Sequence, residues 1–399
     1  MNVWPRVRLD QCTEVVSGAT PDTSESSYWD GDICWTTPKD LSGLDGAYIS
    51  DTPRKITRRG LESCAALVLP PESVLLSSRA PIGHVAINTV PMATNQGFKS
   101  FIPDRHRVHS KFLYHWLRKN RLYLESLGNG ATFKEVSKAI VAGIEVPLPP
   151  LAEQRRIAAI LDKADELRAK RRAALAKLDS LTQSIFLDMF GDPVTNDRGW
   201  PSNTVGYFIA GFETGKNLVA DDEDDDSDGL RVLKVSAVTS LRFRPEESKA
   251  LPSGYVPPPS HFVRKGDLLF SRANTQELIG ATALVEHAPA GLVLPDKLWR
   301  FLWHDEPRAD PRFVHWLFRQ PKLRFELGRR ATGTSGSMKN ISQEKVLDIR
   351  VGLPELPLQR EFGRIAYAID RLRQIGEAAL STINTVFISL QYRAFQGEL

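Results

Sequence analysis

Two stretches of this 399-residue chain repeat one another at a spacing of about half its length, which restricts the fold to two copies of one unit joined end to end. Trp4-Pro5 recurs as Trp200-Pro201. Leu75-Leu76-Ser77-Ser78-Arg79-Ala80 recurs as Leu268-Leu269-Phe270-Ser271-Arg272-Ala273, and His115-Trp116-Leu117 as His315-Trp316-Leu317. Phe133-Lys134-Glu135-Val136-Ser137 answers Met338-Lys339-Asn340-Ile341-Ser342. Pro149, Leu151, Gln154 and Arg155 then answer Pro354, Leu356, Gln359 and Arg360. The offset drifts only from 193 to 205, and the order never breaks.

Each copy changes texture once. Residues 1–148 are short β-branched and aromatic runs cut by Gly, Pro, Asp and Ser, the pattern of many short strands and turns, with a helix pair around Lys111–Leu127. After Pro147-Leu148-Pro149-Pro150, Glu153–Phe190 contains no proline or glycine and reads as one long helix, ended by Gly191-Asp192-Pro193. Its apolar residues Ile157, Ile160, Leu161, Ala164, Leu167, Ala174, Leu178, Leu181 and Ile185 form a narrow stripe. Phe362, Ile365, Ile369, Leu372, Ala379, Ile383, Val386 and Leu390 form another in the second copy. Stripes this long and narrow need a partner helix, and the economical partner is the other copy. Leu175, Phe186, Leu187 and Met189 lie beyond a two-helix seam and are expected to stay exposed. The fold class is therefore α+β: two similar β-rich domains, residues 1–150 and 193–355, separated by two long antiparallel helices, residues 151–192 and 356–399, that form a coiled coil with pseudo-twofold symmetry.

Charge narrows the partner. The net charge is only +4, but residues 221–228 hold seven acids. Setting those aside leaves +11 on the rest of the chain, which favours a polyanion such as nucleic acid. The acidic run itself reads as a solvated loop. Apolar residues make up 42%, and no run approaches the roughly 20 residues of a membrane span, so a cytoplasmic protein is expected. Cys12, Cys34 and Cys64 form no CxxC pair and are expected to be reduced, mostly buried thiols.

Catalytic patterns fail one by one. Gly211-Phe212-Glu213-Thr214-Gly215-Lys216-Asn217 is one residue short of a phosphate loop and ends in Asn instead of Ser or Thr. Asp224, Asp226, Asp228 and Gly229 imitate a calcium loop, yet Val235 stands where the bidentate Glu belongs. Glu247-Ser248-Lys249 is a nuclease-like tripeptide with no counterpart in the first copy, and no dinucleotide or methyl-transfer motif occurs. His115 and His315 read as core histidines.

What remains is basic and polar residues on turns. The first copy supplies Arg54, Lys55, Arg58, Arg59, Ser78, Arg79, Asn95, Gln96, Lys99, Thr132 and Lys134. The second supplies Arg242, Arg244, Ser271, Arg272, Asn274, Gln276, Lys297, Thr334, Ser335 and Lys339. Arg and Lys neutralise phosphates or pair with guanine, Asn and Gln match adenine, and small residues let a loop approach the backbone. Taken singly, each fits an ordinary solvated turn, and Arg79 and Arg272 could instead close ion pairs beneath their strands. Recurrence in both copies favours a shared DNA-binding task.

The chain resembles the DNA-specificity subunits of type I restriction-modification systems along essentially its whole length. The resemblance is carried by Val146-Pro147-Leu148-Pro149-Pro150-Leu151-Ala152-Glu153-Gln154-Arg155-Arg156-Ile157, its weaker second copy from Val351 to Arg360, the Leu-Leu-Ser-Ser-Arg strand end, and Asn95–Phe101. The second copy departs from the pattern at Leu358, which stands where Glu153 does, and at Pro295–Arg300. The resemblance implies two target-recognition domains, each reading half of a bipartite site in double-stranded DNA. It implies a helical rod that docks two methylation subunits, which bind S-adenosylmethionine, and separate restriction or motor subunits. This chain would then bind no cofactor or metal and perform no catalysis. A scaffold whose two modules bind proteins and a standalone nuclease are the rival readings.

Overall fold

The computed structural model describes residues 4–44, 46–79, 81–130, 134–218, 229–252, 254–335 and 338–399; of Thr334 and Ser335 only the backbone is described. The chain divides into two compact units. The first comprises Met1–Arg172 with Ala378–Leu399, and the second Ala173–Glu377. Both divisions fall inside long helices, so each unit holds one globule and a segment of each helix.

The two units share one topology. In the first, strands run in the order Thr13–Ser17, Lys99–Pro103, Val74–Leu76, Val85–Asn88 and Tyr48–Ile49. In the second, the corresponding order is Ile209–Thr214, Leu298–Trp303, Leu268–Ser271 and Thr282–Leu284, without the fifth strand. Each unit adds a three-stranded sheet with one parallel pairing, Trp29–Thr36 beside Met92–Thr94 and Arg231–Leu233 beside Leu292–Val293. A two-stranded ribbon ties each globule's start to its end, Arg6–Arg8 with Glu145–Pro147 and Ser202–Thr204 with Arg350–Gly352. The expected helix pair is present as Ser110–Lys119 and Arg121–Ser126, answered by Pro311–Arg319 and Pro321–Arg330.

The long helices span Leu151–Phe190 and Leu356–Gln396, each about 60 Å at 1.5 Å per residue. Their starts explain the Pro-Leu-x-Glu-Gln motif. Gln154 is fully buried; its Oε1 accepts from the His109 amide (2.9 Å), and its Nε2 donates to the carbonyls of Arg107 (2.7 Å) and Pro149 (2.8 Å). Gln359 repeats the device, accepting from the Asp310 amide (3.0 Å) and donating to Pro354 (2.7 Å). One amide side chain thus locks each long helix to the start of its globule's helix pair, satisfying backbone groups that no helix bond reaches.

Within each unit the two helix segments pack antiparallel. In the first, Arg156 bonds the Leu399 carbonyl while Arg168 bonds Asn384 and stacks on Phe387, and Ile157 and Leu161 share a core with Phe112 and Phe395. In the second, Leu175 meets Gly376, while Phe186 and Phe190 pack on Phe313 and Phe362. Burying each of these rings is worth roughly 1.5–3 kcal/mol.

Two expectations about the stripe are corrected. Phe186 is fully buried, because the helix turns it into the aromatic cluster of the second unit. Conversely Leu167, Leu181, Leu372 and Val386 are about half exposed or more, so the seam is narrower than the sequence pattern. Leu187 is exposed as expected. Cys12 and Cys34 are buried free thiols and Cys64 is half-buried. The phosphate-loop-like segment begins as part of strand Ile209–Thr214. The acidic run 221–228 lies outside the described residues.

Candidate nucleic-acid interface

In the first unit the central strand Val74–Leu76 delivers the chain into a pinned corner. The Ser77 hydroxyl accepts from the His84 amide (2.8 Å) and donates to the Pro81 carbonyl (2.7 Å), and Gly83 closes the loop at φ +93°. Only glycine fits there, since a Cβ would sit 2.6 Å from Arg121 Cγ. Ser78 then bonds the Gly97 carbonyl through both its amide (2.7 Å) and its hydroxyl (3.1 Å). Asn95 Oδ1 accepts from the Gly97 amide (2.9 Å), preforming the turn that carries Gln96 outward beside Thr20. The backbone of Arg79 pairs in a β-bridge with that of Glu135, whose carboxylate takes the Lys99 ammonium at 3.1 Å; exposed Lys134 is the preceding residue. The chain after Ser78, the Asn95–Lys99 turn and the residues Asn129 and Glu135 therefore meet.

Beside them Arg54 is stacked on Trp29 (3.9 Å) and lies 5.0 Å from the ring of Trp35, whose indole N–H bonds the Ala19 carbonyl. An exposed guanidinium held over an indole is a ready partner for phosphate or a base face. Sequence reading selected Arg54 and missed both tryptophans, which an irregularity of the strand between Trp29 and Ile33 brings edge to face, with ring centroids 5.1 Å apart. Lys55 is paired with Asp51 at 3.2 Å, a hydrogen bond that raises its pKa. Arg58 faces Glu62 at 3.3 Å and Arg59 is exposed on the same short helix.

The second unit assembles a corresponding cluster from different chemistry. Arg272 Nε donates to the Asp296 carbonyl (2.7 Å), and its guanidinium also faces the Asp296 carboxylate at 3.5 Å. Asn274 caps the Thr275 amide (2.8 Å) and pairs across the ladder with Lys339, next to strand Thr332–Ser335. Gln276 is exposed and Lys297 half-buried. Beneath the cluster Arg300 is bonded to Glu213 and, at 3.1 Å, to Asp267. Burial opposes both charges of the Arg300–Glu213 pair, but the hydrogen bonds win, raising Arg300 and lowering Glu213.

Several expected contacts are corrected by these positions. Ser78 and Ser271 are fully buried and offer no hydroxyl to a ligand. Lys99 is 7% exposed and spent on Glu135. Arg242 is not on a reading loop: it clamps Asp179 (2.6 Å) on one long helix and Glu377 (2.9 Å) on the other, while neighbouring Arg244 is exposed. Thr132 and the side chains of Thr334 and Ser335 lie outside the described residues.

The repeat is also out of register at its most visible match. Ser77 and Ser271 hold the same backbone bonds, their carbonyls receiving the amides of Gly83 and Gly280, and Val136 and Ile341 donate to the carbonyls of Ser78 and Arg272 respectively; the Ser271 hydroxyl, unlike that of Ser77, has no partner among the described residues. Arg272 therefore corresponds to Ser78, and Arg79 to Ala273. The Gln154 and Gln359 bonds likewise equate His109 with Asp310, which puts His115 and His315 one place apart. Both are core residues as expected, but His115 Nε2 meets Asp162 (2.8 Å) while His315 Nδ1 meets Thr282 (2.9 Å). Burial alone would raise Asp162; bonds from His115 and Lys111 outweigh it and lower its pKa.

Residues 1–177 match the family model described as type I restriction modification DNA specificity domain. The type I restriction enzyme EcoKI specificity subunit of Escherichia coli (strain K12) is 27% identical over 361 residues, 83% of this chain and 75% of that protein. The chain is therefore similar to the type I DNA-specificity family, by a domain match over its first 177 residues and a weaker likeness beyond them. The MjaIX specificity subunit of Methanocaldococcus jannaschii is 33% identical over 231 residues, 54% of this chain, and the match spans about half (53%) of that relative's length. The fold matches the crystal structure of the S subunit of a type I restriction-modification system from M. genitalium with a TM-score of 0.59 at 14% identity, covering 99% of this chain and 96% of that one. Among the described residues no group of three or more His, Cys, Asp or Glu is placed to hold a metal ion, and no helix is long and apolar enough to cross a membrane.

Proposed function

We propose that this chain is the DNA-addressing subunit of a type I restriction-modification assembly. Each loop cluster reads one half of a bipartite site in double-stranded DNA, and the chain itself performs no chemistry. The observation that carries this reading is the same backbone corner at Ser77 and Ser271, built twice in a chain whose first 177 residues match a DNA-specificity domain. The net +11 outside the acidic run fits a polyanionic partner.

The long helices act as the spacer and dock two methylation subunits. Those subunits supply S-adenosylmethionine and methylate adenine; separate restriction or motor subunits cleave, and the assembly works in the cytoplasm. Stiff helices of fixed length make the number of unread base pairs between half-sites a geometric consequence. The test is binding of the chain with its methylation partner to duplexes whose spacer is one base pair longer or shorter. Affinity should drop for both; indifference to spacer length contradicts the reading.

A further inference from the structure

In the second unit, a recess of about 390 Å³ opens between the globule and the long-helix segments. Its wall includes Leu241, Phe243, Leu284 and Trp316, and its polar lining is dominated by arginine. Every carboxylate that lines it already has a cation. Glu286 holds Arg312 at 2.5 Å, Asp370 holds Arg373 at 2.7 Å, and Glu377 holds Arg242 at 2.9 Å. Arg319 is left over. Among the described residues it makes no hydrogen bond or ion pair, and its guanidinium lies 3.8 Å over the Trp316 ring.

The first unit supplies the control. The register set by the buried glutamines equates Arg118 with Arg319 and Asp165 with Asp370. Arg118 is fully engaged, donating to the Tyr114 hydroxyl (3.0 Å) and pairing with Asp165 (2.9 Å). In the second unit Tyr114 is replaced by His315, which turns to Thr282, and Asp370 bonds only Arg373, whereas Asp165 holds both Arg168 (2.7 Å) and Arg118. The guanidinium keeps its place but loses both partners. Burial pulls the pKa of Arg319 down to about 10, against the attraction of Asp179 and Asp370, neither of which bonds it. Close by, Arg312 Nε is buried without a partner and Arg244 is exposed at the rim.

We propose that this recess is a binding site for an oxyanion, a phosphate or carboxylate group of a small molecule, received by the planar fork of Arg319 with the apolar wall of Phe243 and Leu284 behind it. A planar donor fork matches the paired oxygens of either group, and a cavity of this size suits a small organic anion.

The test uses the full chain, titrated with inorganic phosphate, pyrophosphate and citrate at constant ionic strength and followed by calorimetry. Saturable binding of at least one anion is expected, weakened about tenfold or more in Arg319→Gln. A response to the phosphates alone assigns a phosphate site, and to citrate alone a carboxylate site. Without ligand, Arg319→Gln should unfold at the same temperature as the parent or higher, because it removes an unpaired cation, whereas Arg118→Gln should unfold lower. The proposal is overturned if no anion binds saturably, if binding survives Arg319→Gln undiminished, or if unliganded Arg319→Gln is destabilised as Arg118→Gln is.

Discussion

Replacing Gln154 by Leu tests whether one amide ties the first long helix to its globule. Leucine nearly fills the volume, so the change isolates polar loss from cavity formation. Three bonds vanish, from the His109 amide (2.9 Å) and to the carbonyls of Arg107 (2.7 Å) and Pro149 (2.8 Å), at a residue with no solvent exposure. At about 1 kcal/mol net per bond, the expected cost is about 3 kcal/mol, more if the orphaned groups find no water. That corresponds to roughly a hundredfold rise in local opening. Amide hydrogen exchange of peptides covering residues 107–113 reads it directly and avoids the assumption that a two-unit chain unfolds in one step. Gln359→Leu removes two bonds, so about 2 kcal/mol should be lost around residues 310–314 and nothing around 107–113. Exchange at 107–113 unchanged in Gln154→Leu would show that water substitutes for the side chain and that the motif's glutamine does not fix the helix.

Arg242→Ala should lower the stability of the second unit by about 1 kcal/mol or less, since the pair is one-third to one-half exposed, and should leave retention on DNA unchanged; reduced retention at equal folding would return Arg242 to the reading surface. Arg79→Ala should weaken one half-site only, by about 1–3 kcal/mol if a base is read, or lower the slope of log affinity against log salt by about one if a phosphate is held, measured by binding across salt concentrations. Burial first, then Arg319, Arg312 and Arg373, depress the pKa of His315 well below its ordinary value. The unfolded chain therefore takes up a proton that the folded one refuses. Stability of the second unit is full above the ordinary histidine pKa of about 6.5 and falls as pH drops below it, by up to about 1.4 kcal/mol per pH unit. Exchange protection at residues 311–319 that is flat from pH 7.5 to 5.5 would contradict that sign.

The architecture was legible because its signals are redundant. A proline-free and glycine-free run from Glu153 to Phe190, bracketed by Pro150 and Gly191, leaves few alternatives to a long helix, and a duplicated order of anchors survives drift in their spacing. The stripe was less legible. Phe186 lies outside the three-and-four spacing that identifies a two-helix seam, yet the globule itself packs on that flank of the helix through Phe313, so a third surface buries it. Arg242 was misread for a similar reason: a turn arginine looks free until the chain closes and brings Asp179 and Glu377 to it across 63 and 135 residues of sequence.

The candidate interface exposes a sharper limit. Matching letters aligned Arg79 with Arg272, whereas hydrogen bonding aligns Arg272 with Ser78 and Arg79 with Ala273. On an extended chain successive side chains leave on opposite sides, so a slip of one residue reverses direction as well as position. Two arginines that look like one conserved tool are then different tools. Arg79 follows a buried serine and emerges beside Glu135, while Arg272 occupies that serine's place and reaches Asp296. If the two clusters read different half-sites, this is the variation to expect: the backbone bonds of Ser77 and Ser271 stay constant, and the residues that follow them are free to differ in reach and charge. Specificity in such a pair has to be mapped unit by unit, from the pinned serine outward, because the identity of letters between copies does not preserve direction.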